Sequence, residues 1–159
     1  YGWAKGRGDI PFAIYPLASY GGWESDAVLD TVEKILSEDR IDPDRLIIMG
    51  FSMGGMGTWT CAVDHPGRWA AAVPIGGRGS YADEAERVKD LPVWVFNGDA
   101  DTTTTLADAQ RIVDALKAIG GNVRLTVLPG VGHGGSQNGT FETPGLWEWL
   151  AEQRRKPQP

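Results

Sequence analysis

Cysteine is nearly missing from this chain: Cys61 stands alone among 159 residues, so no intrachain disulfide and no cysteine metal cluster can form. Histidine is almost as scarce, and His65 and His133 are the whole supply for any imidazole chemistry. No apolar run reaches the roughly eighteen residues a membrane-spanning helix needs, and no charged-then-apolar leader is present. Basic charge is in deficit too. Fifteen Lys and Arg against 21 Asp and Glu give a net charge of −6, and the one basic cluster is Arg154, Arg155, Lys156. That balance opposes binding to a phosphate backbone, so nucleic acid is not an expected partner. The chain opens on Tyr1 instead of methionine, which leaves export and the cytoplasm both compatible with it.

What is present is an ordinary globular composition, 42% hydrophobic and 23% charged, without repeats or low-complexity segments. A single domain over residues 1–159 is expected. At this size, folding buries about 68–70% of the surface an unfolded chain exposes, enough for a sizeable core.

Short apolar runs alternate with helical patterns, the signature of a mostly parallel sheet with helices on both faces. Residues 10–17 read as a strand interrupted by Pro11 and Pro16. A helix opens at Glu24 or Ser25 with Val28, Val32, Ile35 and Leu36 on its apolar face. Residues 45–51 carry Leu-Ile-Ile-Met, a continuous run expected of a strand buried on both faces. A helix over 53–64, a strand over 70–75, a short polar helix near 82–89 and a strand over 93–96 follow. The next helix places Ala109, Ile112, Val113 and Leu116 on one face and stops at Gly120-Gly121. Residues 123–128 read as the last strand, 129–139 as a glycine-rich loop, and Leu146, Trp147, Trp149 and Leu150 mark a terminal helix.

The strongest local signal is Gly50-Phe51-Ser52-Met53-Gly54 between a strand and a helix. A sharp strand-to-helix turn exposes the serine hydroxyl, and small residues two positions away on either side let the turn close. The backbone N–H of Met53 is then a candidate oxyanion donor, aided by the positive end of the following helix. A serine hydroxyl needs a base. His65, at the far end of that helix, reads as a surface or capping residue. His133 follows the last strand, and in a parallel sheet that loop shares one rim with the Ser52 turn. An acid must in turn orient the imidazole, and Asp99 and Asp101 both follow the strand over 93–96. Asp83 and Asp90 read as solvated charges. The order serine, acid, histidine agrees with the α/β-hydrolase arrangement.

The stretches Asp42-Pro43-Asp44-Arg45, Gly50-Phe51-Ser52-Met53-Gly54-Gly55-Met56-Gly57-Thr58-Trp59, Val93-Trp94-Val95-Phe96-Asn97-Gly98 and Pro129-Gly130-Val131-Gly132-His133 resemble α/β-hydrolase carboxylesterases. The resemblance is to the phospholipase/carboxylesterase and polyhydroxybutyrate-depolymerase-like group, and it covers nearly the whole chain. It implies an α/β-hydrolase fold and a serine carboxylesterase acting through an acyl-enzyme, with neither metal nor organic cofactor. The family pattern Gly-x-x-Asp-x-x-Val-Pro, aligned on Gly98, implies that the acid is Asp101, with Asp99 the alternative. Here residues 102–105, four threonines, replace the family's Pro-Val-Val-Pro.

The resemblance also implies missing N-terminal strands. Residues 10–17 correspond to the family's fourth strand, while the third strand and the His-Gly segment that supplies a second oxyanion N–H are not found. The chain is accordingly read as the later part of a longer catalytic domain, with another segment beside the strand ending at Phe51 or with a rearranged sheet. A serine peptidase of the same fold and an impaired, non-catalytic homologue are the alternative functions. Among the aromatics, Trp23 is a candidate substrate contact beside Tyr20 and Tyr81, with simple surface coverage the competing role.

Overall fold

The computed structural model describes residues 17, 23–79 and 81–156; the strand expected over 10–17 lies outside the described residues apart from Leu17, which is exposed. Four strands, β1 (Ile47–Phe51), β2 (Ala71–Ile75), β3 (Val93–Gly98) and β4 (Val123–Leu128), form one sheet in the order β1-β2-β3-β4. All three pairings are parallel. Each return therefore crosses a face of the sheet: helix α2 (Met53–Asp64) joins β1 to β2, a 3-10 helix (Tyr81–Val88) joins β2 to β3, and α3 (Leu106–Ala118) joins β3 to β4. Helix α1 (Ser25–Glu38) precedes the sheet, and α4 (Ser136–Phe141) and α5 (Leu146–Glu152) follow it.

The two-residue period of the strands divides the core. Ala72, Val93 and Val95 face a cluster with Trp59, Cys61 and Val63 of α2 and Ile112, Val113 and Leu116 of α3. Val73, Ile75, Trp94 and Phe96 point the other way, onto Leu146 and Leu150 of α5. Helices thus cover both faces. On α3 the four expected apolar residues are all buried. Its start is fixed by a capping box in which Thr105 and Asp108 serve each other's backbone N–H groups. After it, Gly120 adopts φ +74° and Gly121 N–H returns to Leu116 O at 2.8 Å, closing the helix.

Three elements differ from expectation. β1 is only partly buried at all five positions, whereas β2 and β3 are buried throughout. The reason is topological: among the described residues β1 pairs with β2 alone, so its other edge has no neighbour there to cover it. The polar segment at 81–88 is a 3-10 helix, and the glycine-rich loop after β4 gives way at Ser136 to α4, a short helix whose polar residues and Gly139 hid it. No helix among the described residues is long and apolar enough to cross a membrane.

Leu116 is fully buried between α3 and the sheet. Leu116→Ala is expected to lower unfolding stability by about 2–5 kcal/mol in chemical denaturation, the cost of lost transfer energy plus the cavity left behind.

Candidate active site

The parallel order brings the carboxyl ends of β1, β3 and β4 to one rim, and the polar residues singled out in the sequence lie there. Ser52 sits between β1 and α2 at φ 57° and ψ −115°, and it is the one non-glycine residue with positive φ among those described. Holding a serine there costs about 1–3 kcal/mol. The surroundings impose it: Ser52 N–H donates to Ile75 O at the end of β2, 2.9 Å away, and Ser52 O accepts from Met56 N–H to start α2. Gly50 is obligatory for the turn, because a Cβ there would lie 2.2 Å from Gly54 O; at Gly54 itself a Cβ would meet nothing within 4 Å. On the helix side of the serine the crowding falls one residue further on, at Gly55, where a Cβ would lie 2.7 Å from Ile75 O.

Helix α2 begins at Met53, whose side chain is exposed. Its N–H belongs to the first turn, where no intrahelical acceptor exists, at the positive end of a 12-residue helix. The site is therefore electropositive along its backbone beside the Ser52 hydroxyl.

His133 follows β4 and opens a 3-10 turn that runs into α4. Its Nε2 is 2.7 Å from Ser52 Oγ, and its Nδ1 is 2.7 Å from Asp101 Oδ2. The Phe51 ring packs against the imidazole, with centroids 4.9 Å apart. With Asp101 ionised, Nδ1 carries the proton it donates, leaving Nε2 free to accept from the serine hydroxyl.

The two aspartates left open by the sequence separate here. Asp99 Oδ1 accepts from Gly130 N–H at 2.7 Å, so this exposed residue fastens the histidine loop and not the imidazole. Asp101 is the one that reaches His133. The loops are further joined by Asp99 N–H to Leu128 O and Ala100 N–H to Val131 O, both 3.2 Å. Their approach is so close that a Cβ on Gly98 would stand 1.9 Å from Val131 O.

Asp101 has a side chain fully withdrawn from solvent. Its Oδ1 accepts from Thr103 N–H and Thr104 N–H at 2.8 and 2.9 Å, and its Oδ2 from Thr104 Oγ1 at 2.8 Å as well as from His133. Burial alone would raise the carboxyl's pKa; the hydrogen bonds from His133, Thr104 and Thr103 outweigh it and hold the group below the usual carboxylate value. Two residues around this carboxylate have no role that the sequence pattern assigns them. Buried Asn97 donates from Nδ2 to Gly98 O and Thr104 O, at 3.1 and 3.0 Å, bracing the acid loop, and buried Thr104 contributes its hydroxyl.

Trp23 takes a different place from the substrate contact expected of it. Its ring lies against α2 at Gly57, where a Cβ would come within 2.3 Å of it, and it packs with the core that includes Val28 and Trp59. That is the environment of a packing side chain. Tyr81 pairs its hydroxyl with Thr60 at 2.6 Å, and Tyr20 lies outside the described residues. His65 caps the end of α2, about 20 Å along the helix from Ser52, and meets Asp26 at 3.0 Å.

The sequence pattern of the Dienelactone hydrolase family matches residues 22–140. The chain is 27% identical over 111 residues to acyl-protein thioesterase 1 of Neurospora crassa, an alignment covering 65% of this chain and 45% of that protein. Among solved structures, it is similar to a thermostable esterase at 40% identity and TM-score 0.76, over 81% of this chain and 36% of the other. It also shares its fold with SOBER1 of Arabidopsis thaliana, at 20% identity and TM-score 0.63, over 80% and 61% of the two chains. The chain thus spans less than half the length of the curated thioesterase and of the thermostable esterase.

Because folding lowers the pKa of Asp101, its ionised form adds stability that is complete above the unfolded-state value of about 3.9 and is lost as pH falls through the lower folded value. The stability advantage of wild type over Asp101→Asn is therefore expected to be flat near neutrality and to shrink as pH drops below about 4. Thermal melts of both proteins between neutral and acidic pH check this.

Proposed function

The chain belongs to the dienelactone hydrolase family, of the α/β-hydrolase superfamily, and from that premise we propose that it is a serine carboxylesterase acting through an acyl-enzyme on Ser52. The observation that carries this reading is the unbroken chain from Ser52 Oγ through both nitrogens of His133 to Asp101 Oδ2, each contact 2.7 Å long. In the first half-reaction Ser52 Oγ attacks the ester carbonyl carbon while His133 Nε2 takes the hydroxyl proton. Asp101 stabilises the imidazolium so formed. The carbonyl oxygen becomes an oxyanion facing Met53 N–H at the positive end of α2. Collapse breaks the bond to the alcohol oxygen, which receives the proton from Nε2, and leaves the acyl group on Ser52. Water then attacks the acyl carbon, His133 takes its proton, and the acid departs as Ser52 regains its hydrogen. Neither half-reaction calls for a redox step or an organic cofactor.

The naming of an acyl-protein thioesterase and a thermostable esterase among the similar proteins supports acyl transfer to water as the reaction class. On the same reading, residues 1–159 supply the acid, base and nucleophile of an α/β-hydrolase domain, and a further strand paired with the open edge of β1 carries the second oxyanion donor.

Purified protein is expected to hydrolyse p-nitrophenyl acetate, and Ser52→Ala to lower kcat by at least about a thousandfold. Retained turnover in that variant contradicts the assigned nucleophile. Turnover of a matched peptide but not of the ester contradicts the substrate class.

A further inference from the structure

The Thr104 hydroxyl has no part in the proton transfers between Ser52 and His133, yet this side chain is among the few buried polar groups described. Its Oγ1 lies 2.7 Å from Gly76 O, 2.8 Å from Asp101 Oδ2 and 3.1 Å from His133 Nδ1. A threonine hydroxyl has one proton to give. Gly76 O and the carboxylate can only accept, so the proton serves one of them at a time, while the His133 Nδ1–H, directed at Asp101, passes beside the same oxygen. Base, acid and the end of β2 meet at this atom.

The backbone of Thr104 is fixed in the same place. Its N–H donates to Asp101 Oδ1 at 2.9 Å, and its carbonyl accepts from Asn97 Nδ2 at 3.0 Å. Gly76 directly follows Ile75, whose carbonyl holds Ser52 N–H. Two successive carbonyls of one short segment therefore contact the two halves of the site, one through the nucleophile's backbone and the other through Thr104.

We propose that Thr104 is a positioning residue, which acts through Asp101 and His133 by referencing the carboxylate and the imidazole to the end of β2 that also fixes Ser52. This rests on the reading of Ser52, His133 and Asp101 as the reacting set. Oδ1 of Asp101 is held by two backbone N–H groups whatever residue follows it, but Oδ2 has the Thr104 hydroxyl and the imidazole. Without the hydroxyl the carboxylate can turn about its Oδ1 anchor, and the imidazole turns with it. Orientation of the base governs proton transfer in the transition state more than it governs substrate binding, so the loss belongs in kcat.

Thr104→Val removes the hydroxyl at nearly constant shape, and Thr104→Ser restores it without the methyl group. In the full chain, Thr104→Val is expected to lower kcat for p-nitrophenyl acetate about tenfold with KM unchanged within about twofold, and Thr104→Ser to recover most of it. A second readout needs no turnover: the low-field Nδ1–H proton resonance of His133 is expected to move in Thr104→Val and to stay at the wild-type position in Thr104→Ser. Full kcat with an unmoved resonance in Thr104→Val overturns the proposal. So does a Thr104→Ser protein as slow as Thr104→Val, which assigns the loss to packing of the methyl group. If wild type fails to hydrolyse the ester, the esterase reading falls, and the resonance alone then decides: displacement upholds the role of Thr104, and no displacement refutes it.

Discussion

Three hydrogen bonds at the carboxyl end of β2 hold the site in register. Ile75 O accepts Ser52 N–H at 2.9 Å, Gly76 N–H reaches Phe96 O at 2.8 Å, and Gly76 O, 2.7 Å from Thr104 Oγ1, shares that hydroxyl's one proton with Asp101 Oδ2. The first fixes the turn between β1 and α2, and the second ties that segment to β3. The third reaches across to the loop that presents Asp101. Because the strands are parallel and follow chain order, these links span adjacent strands without any crossing over the rim. The loop after β4 is then drawn in from the other side, by Asp99 to Gly130 and by the backbone pairs to Leu128 and Val131.

Two unfavourable features persist at this rim, and each is offset locally. The positive φ of Ser52 is accepted because the turn is pinned at both ends, by Ile75 O and by the first bond of α2. The buried carboxylate of Asp101 is charged against its desolvation because donors surround both of its oxygens. Neither would survive as an isolated feature. Together they leave a hydroxyl, an imidazole and a carboxylate in line, beside the N-terminus of a helix.

Much of this was legible in the sequence, for reasons that are local. Gly50 and Ser52 announce a strand-to-helix turn, and the apolar faces of α1 and α3 and the runs of β2 and β3 mark their elements. His133 was readable because only two histidines compete and the other falls a helix length away. Asp99 and Asp101 could not be told apart from residues alone, since they sit two apart in one loop; which one faces the imidazole depends on how the loop zips to the chain after β4. The four-threonine run read as a departure from a family pattern, but its content is three-dimensional: Thr103 and Thr104 wrap a carboxylate, and Thr105 caps α3. That β1 has a single partner among the described residues was hidden because an apolar run carries no record of how many neighbours it has, and Trp23 showed its aromatic character but not its contact with Gly57.

The proposed mechanism requires Ser52 to carry the acyl group between the two halves of the reaction. Rapid acid quench of the protein during p-nitrophenyl acetate turnover, followed by peptide mass spectrometry, tests it most directly. One acetyl group is expected on the peptide that contains Ser52, on the serine oxygen. Continued hydrolysis with that peptide unmodified, or an acetyl group found on another residue that turns over at the catalytic rate, would contradict it.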